Sequence, residues 1–249
     1  MASRISSRDR ISQHLNKIYC DMPEPAVKQL AFELIEIMDV GQQPTMRRST
    51  KSQWDQNDVI AITYADTILE HRKKPLVALK HFLDSYLKNT VSAVHILPFF
   101  PFTSDDGFSV LNYSAVNESV GSWENIEAIA KDYLLMADLV INHCSARSQW
   151  FENFIKDVEP GRDYFVTADP DTDLSAVVRP RTNDLLRAVE TSSGTQHVWC
   201  TFSHDQVDLN FQNTEVLKEL VKIIRQYLNH GVRIFRLDAV AFLWKKIGT

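Results

Sequence analysis

The spacing of hydrophobic positions changes character along this chain, and the changes divide it. Over residues 1–55 apolar side chains recur at roughly helical spacing. Ile5, Ile11, Leu15, Ile18 and Tyr19 make one stripe, and Val27, Leu30, Ala31, Leu34 and Ile37 make another over 25–38. Asp21, Met22 and Pro23 end the first helix; Gly41 and Pro44 stop the second. This N-terminal helical extension is assigned packing, not chemistry. From residue 56 short apolar runs alternate with amphipathic stretches. Residues 59–64 read as a strand, 76–87 as a helix, 92–97 as a second strand, 123–131 as a short helix capped by Ser122, and 135–142 as a third strand. Farther on, 215–229 is a strongly amphipathic helix carrying Val216, Leu217, Leu220, Ile223, Ile224, Tyr227 and Leu228, and 231–240 is a fourth strand opened by Gly231. Strand–helix alternation implies right-handed crossovers and a parallel sheet.

The interval between strands three and four breaks this rhythm. It holds aromatics and Asp and Pro clusters without a clean period, and it is too long for a plain connection, so 145–210 is expected to form an inserted subdomain. In a parallel α/β layout it leaves from a strand's C-terminal end, the functional face. The expected division is 1–55, 56–144, 145–210 and 211–249.

Composition narrows the partners. The 249 residues are 44% hydrophobic, enough for one large core, and a net charge of -5 gives no electrostatic reason to expect nucleic acid or an anionic membrane. No apolar run approaches spanning length, and the first residues lack the apolar core of a signal peptide. Cys20, Cys144 and Cys200 are odd in number and scattered, which suits reduced thiols in the cytoplasm. Either a (β/α)8 barrel or an open doubly wound sheet fits the element order. With 7 Gly and no phosphate-cradling glycine loop after any strand, the nucleotide-binding sheets are disfavoured. No cluster of metal-ligand type occurs, no cofactor is expected, and no pattern specifies an oligomeric state.

Candidate chemistry gathers at strand ends. In the fourth strand Val232, Ile234, Arg236 and Asp238 share one side, while Phe235 and Leu237 take the other. Both sides are otherwise apolar, which predicts a strand covered on both faces. By itself the Arg–Asp pair is as consistent with a structural ion pair as with a catalytic one. Asp105, Asp106, Gly107 and Phe108 follow strand two, and Asn142 and His143 follow strand three. Polar groups at three successive strand ends point to a shared site. Arg236, two residues from Asp238, is expected to lower its pKa, which suits a nucleophile and not a general acid. An imidazole, a second carboxylate, and aromatics such as Phe108 and Phe202 make a sugar pocket, and the residues alone lead to glycosyl transfer. Cys144 is adjacent to His143 and so points to the opposite side, which argues against a thiol dyad.

Asp138-Leu-Val-Ile-Asn142-His143, Gln206-Val-Asp208-Leu-Asn210 and Arg236-Leu-Asp238 together resemble three ordered signature regions of glycoside hydrolase family 13, the α-amylase family. Ile62-Thr63-Tyr64-Ala65-Asp66, His95-Ile96-Leu97-Pro98-Phe99, Asp105-Asp106-Gly107-Phe108, Gly121-Ser122-Trp123 and Arg179-Pro180-Arg181 look like its sucrose phosphorylase group. The N-terminal extension, Trp54-Asp55 and Asp173-Leu174-Ser175-Ala176 look more like the glucosylglycerate phosphorylase branch. The resemblance implies a (β/α)8 barrel, here truncated after the fourth strand, and a glycosyltransferase-type disaccharide phosphorylase. It makes Asp238 the nucleophile and Arg236 its positioning partner. Asp105 and His143 hold glucosyl hydroxyls, Phe108 and Phe202 pack on sugars, Gln206 lines the pocket, and Arg181 sits on an acceptor loop. The partners implied are an α-glucoside (sucrose or glucosylglycerate) and inorganic phosphate. Retaining chemistry needs two carboxylates about 5–5.5 Å apart. In the family the acid/base Glu follows the nucleophile strand, so the chain is expected to be an N-terminal fragment, inactive alone. Phe242 stands where many sucrose phosphorylases carry Tyr. A glucosidase or transglucosidase of the same family, and a non-catalytic sugar-binding or inert fragment, stay open as alternatives.

Overall fold

The computed structural model describes residues 6–39 and 55–246. Ile5, Gly41, Pro44, Trp54 and the last residues of the chain lie outside them. Two helices open the chain: α1 (Ser7–Ile18), capped by the Ser6 side chain accepting from the Asp9 amide, and α2 (Glu24–Met38), which starts on Pro23 and ends at a left-handed Asp39. Leu15, Tyr19, Val27, Leu30, Ala31 and Leu34 form a small core between them.

The main layer is a four-stranded parallel sheet in the order β1 (Ile60–Thr63), β2 (Ala93–Ile96), β3 (Leu134–Val140), β8 (Val232–Asp238). Helix α3 (Pro75–Phe82) runs on as one π turn over Leu83–Leu87, so the single helix expected over 76–87 is widened at its end. Helix α4 (Trp123–Ala130) begins as expected at Ser122, whose amide donates to Asn125 Oδ1 at 3.0 Å. The interval between β3 and β8 holds two antiparallel strand pairs and a helix: β4 (His143–Ser145), α5 (Gln149–Lys156), the hairpin β5 (Leu186–Thr191) and β6 (Gly194–Trp199), and β7 (Gln206–Asp208), which pairs with β4.

Helix α6 (Thr214–Asn229) serves both cores. Val216, Leu220, Ile223 and Tyr227 face the main one, where fully buried Tyr227 packs among Phe99, Phe100, Trp123 and Phe235. Leu217 and Val221 face α1 and α2 instead. Lys218 bonds Glu33 at 2.8 Å and Arg225 bonds Asp39 at 3.2 Å, tying the N-terminal pair down. Tyr19 reaches farther still, its hydroxyl donating to the Phe211 carbonyl at 2.9 Å and its ring meeting Trp244 edge-on at 5.8 Å. No helix among the described residues is long and apolar enough to cross a membrane.

Gly231 turns α6 into β8 with φ +94°, and a Cβ there would lie 2.6 Å from Ala130 Cβ, so the turn needs glycine. The β3–β8 ladder shifts register between Leu135 and Met136, leaving Arg233 as the extra residue of a bulge. Beyond it Asp138 pairs with Arg236 and Val140 with Asp238. Coverage of β8 departs from the sequence expectation. Its apolar pattern predicts burial on both faces, yet among the described residues it is an edge strand, and Leu237 is 50% exposed.

Candidate active site

Three neighbouring strands deliver one polar row. Register partners in a parallel ladder stand on the same face, so Asp138 and Arg236 meet directly. Arg236 Nη1 donates to Asp138 Oδ1, and Nη2 lies 3.2 Å from Asp238 Oδ1. On the far flank His95 Nε2 is 2.8 Å from Asp138 Oδ2. Asp138 is wholly buried with both oxygens occupied, the condition under which an interior carboxylate is tolerated. Arg236 is held charged, chiefly by its bond to Asp138.

Burial pushes the Asp238 carboxyl above its ordinary range. Arg236 opposes this, and the negative charges of Asp138 and Asp105 add to it. The sequence expectation had the opposite sign. It assumed that the guanidinium serves Asp238 alone, whereas its principal bond goes to Asp138 and the desolvation of Asp238 outweighs what is left.

The second wall comes from the β4–β7 pair, which sets His143 opposite Asp208 and Ser145 opposite Gln206. His143 Nε2 lies 3.0 Å from the Phe108 carbonyl and 3.2 Å from Gln206 Nε2. Gln206 in turn donates to Asp105 Oδ2 at 2.9 Å. The Phe202 ring is 5.1 Å from that of His143 and 5.5 Å from that of Phe242. The Arg236 guanidinium sits 5.5 Å over the Phe108 ring, a cation–π contact across the gap between the two walls. Burial lowers the His143 pKa, favouring the neutral imidazole.

The loop carrying Asp105 is bent by three successive residues of positive φ: Asp105 at 57°, Asp106 at 48° and Gly107 at 104°. Asp tolerates this region better than most residues, and Gly107 is required, since a Cβ would sit 2.5 Å from Pro98 Cβ. The bend is clamped from outside by Asp205, whose Oδ2 accepts from Thr103 Oγ1 and Ser104 Oγ at 2.6 Å each and from Ser109 Oγ at 3.0 Å.

Asp238, Arg236, Phe108, His143, Phe202, Gln206 and Asp105 therefore form one contiguous network. Arg181 does not join it: it is exposed on an irregular segment and makes no hydrogen bond or ion pair among the described residues. Cys144 and Cys200 are buried, and burial pushes both thiols up to about 12, so neither supplies a thiolate.

Residues 82–248 match the model of the α-amylase catalytic domain. This chain belongs to the α-amylase family. It is 48% identical over 195 residues to a glucosylglycerate phosphorylase of Spirochaeta thermophila, covering 78% of this chain and 33% of that protein. A glucosylglycerate phosphorylase of Allomeiothermus silvanus is 44% identical over 242 residues, covering 97% of this chain and 42% of that protein. Among solved structures, sucrose 6F-phosphate phosphorylase from Thermoanaerobacter thermosaccharolyticum superposes with a TM-score of 0.71 at 31% identity, covering 80% of this chain and 43% of that one. The chain thus spans well under half the length of these relatives, and its sheet is four parallel strands of the family's barrel.

In this α-amylase-family site several residues escaped functional assignment from sequence. Asp138 and His95 are single polar residues inside apolar runs that read as strands, and a buried charge in such a run needs a partner, so a signal was available. Lys245 carried none. It follows β8 on an irregular turn, yet its side chain is only 8% exposed and pairs with Asp208 at 2.7 Å.

Proposed function

We propose that this chain supplies the nucleophile and the glucosyl-holding side chains of a retaining α-glucoside phosphorylase. The observation that carries the reading is the setting of Asp238: a largely buried carboxylate at the C-terminal end of a parallel strand, aligned by Arg236 at 3.2 Å and standing in one network with Asp105, His143, Gln206, Phe108 and Phe202. Asp238 attacks the anomeric carbon, the glycosidic C–O bond breaks, and the departing oxygen takes a proton. Oxygen of inorganic phosphate then attacks the same carbon and displaces the carboxylate, and two inversions give α-glucose 1-phosphate. No Glu joins the network among the described residues, and the family resemblance puts the acid/base Glu after the nucleophile strand. Asp105 and His143 are assigned to ring hydroxyls, and Phe108, Phe202 and Gln206 to the pocket wall. Arg181, charged and unpaired among the described residues, suits the incoming phosphate or a glycerate carboxylate. Two relatives at 44% and 48% identity are glucosylglycerate phosphorylases, which favours glucosylglycerate over sucrose as the donor. A cytoplasmic setting goes with this reading, since the buried cysteines are free thiols.

The test is an enzyme of the relatives' length carrying this sequence, given glucosylglycerate and sucrose with and without phosphate. Phosphate-dependent release of α-glucose 1-phosphate is expected, faster from glucosylglycerate. Equal turnover in the absence of phosphate would make it a hydrolase. Asp238→Asn is expected to eliminate turnover of both donors, and retained turnover would remove Asp238 from its role.

A further inference from the structure

Behind His143 lies a buried polar cluster that the proposed reaction does not use. Lys245 Nζ bonds Asn142 Oδ1 at 2.8 Å and Asp208 Oδ2 at 2.7 Å. Asn142 Nδ2 donates to Asp208 Oδ2 at 3.0 Å and lies 3.2 Å from His143 Nδ1. Thr201 completes the set, its amide and hydroxyl donating to Asp208 at 2.9 and 2.6 Å. An ammonium group only donates and a carboxylate only accepts, so Lys245 and Asp208 together fix which end of the Asn142 amide is oxygen. The NH2 end then faces His143 Nδ1, which must accept. The proton goes to Nε2, where the Phe108 carbonyl waits at 3.0 Å. The other tautomer would set an N–H against the Asn142 NH2 and leave that carbonyl without the ring's proton. Its single gain would be an acceptor for Gln206 Nε2 at 3.2 Å, whose two N–H groups already have Asp105 Oδ2 at 2.9 Å and the Phe108 carbonyl at 3.4 Å.

We infer that Lys245 and Asp208 are positioning residues that act through the Asn142 amide to lock His143 in the Nε2–H tautomer, committing its site-facing nitrogen to donate a hydrogen bond rather than take a proton. Lys245 is itself held by its neighbours: its carbonyl accepts from Gln212 Nε2 at 3.0 Å, and Trp244 packs on Tyr19 of the N-terminal helices. That a sugar hydroxyl takes this N–H in place of the Phe108 carbonyl rests on the function proposed above. The tautomer does not, and it can be read without any substrate.

The experiment is nitrogen-detected NMR of the 249-residue protein labelled with 15N-histidine, with the His143 signals among the 8 histidines assigned by their loss in His143→Gln. Wild type is expected to show a protonated Nε2 and a bare Nδ1. Lys245→Arg, which keeps a cation on the amide oxygen, should leave that pattern in place. The charge-balanced double variant Lys245→Met/Asp208→Asn should introduce the Nδ1–H form, and Asn142→Asp, which puts an acceptor against Nδ1, should move the proton there. A protonated Nδ1 in wild type, or an unchanged Nε2–H pattern in both the double variant and Asn142→Asp, would overturn the inference. If near-UV circular dichroism shows that the double variant does not fold, Asn142→Asp alone decides. Absence of phosphate-dependent glucosyl transfer in the enzyme of the relatives' length, with the Nε2–H pattern intact in the 249-residue protein, would instead count against the proposed function alone.

Discussion

Burial raises the Asp238 pKa against the pull of Arg236 and His143, and the charges of Asp138 and Asp105 add to the rise. The folded state disfavours its ionised form, so the group costs stability above its raised pKa. That cost fades as pH falls through the folded value and is gone below the unfolded value of about 3.9. Asp238→Asn should therefore stabilise the fold at neutral pH while removing the nucleophile. A gain of about 1 kcal/mol would raise Tm by about 2–4 °C in a chain of this size, with no gain near pH 3. Thermal unfolding of both proteins across that range is the measurement, and a lowered Tm at pH 7 would show that Arg236 outweighs burial. The pairing of Arg236 with Asp238 is legible in sequence because the strand's period of two is strict. The sign of the shift is not legible, since it depends first on how deeply Asp238 is buried, which segments distant in sequence decide.

At the scale of elements, the site depends on one clamped loop. Asp205 is held below the usual carboxylate range: burial opposes this, but bonds from Ser104, Thr103 and Ser109 outweigh it. A depressed folded pKa adds stability that is present above the unfolded value of about 3.9 and is lost as pH falls through the folded one. Asp205→Asn should cost about 1–3 kcal/mol at pH 7 and much less in acid. It should also loosen residues 103–109, which amide hydrogen exchange would detect. Equal losses at pH 7 and pH 3 would mean that the charge is irrelevant to the clamp. The strands of the sheet are readable to within a few residues because apolar runs and turn signals agree there. The hairpin β5–β6 and the β4–β7 pair are not, because their strands are short and their burial does not alternate along the chain. The long-range pairing that sets His143 opposite Asp208 leaves no local trace.

For the whole molecule, the N-terminal helices are part of the fold's fabric. Helix α6 divides its side chains between two cores, and Tyr19 spans from the extension to Phe211 and Trp244. Tyr19→Ala should destabilise the chain by about 3 kcal/mol through the cavity left behind, and Tyr19→Phe by about 1 kcal/mol through the lost hydroxyl bond. Urea denaturation would read both as a lower midpoint at constant slope. A shallower slope for Tyr19→Ala would mean that the extension unfolds on its own.

The same contact orders events on the ribosome. Tyr19 bonds a residue 192 positions later in the chain. At about 5–20 residues per second, roughly 10–40 s of translation separate the two. Throughout that interval Leu15, Tyr19, Val27, Leu30 and Leu34 can pack only on one another, since the flank of α6 that covers them has not been made. Helices α1 and α2 therefore dock only after α6 has been made.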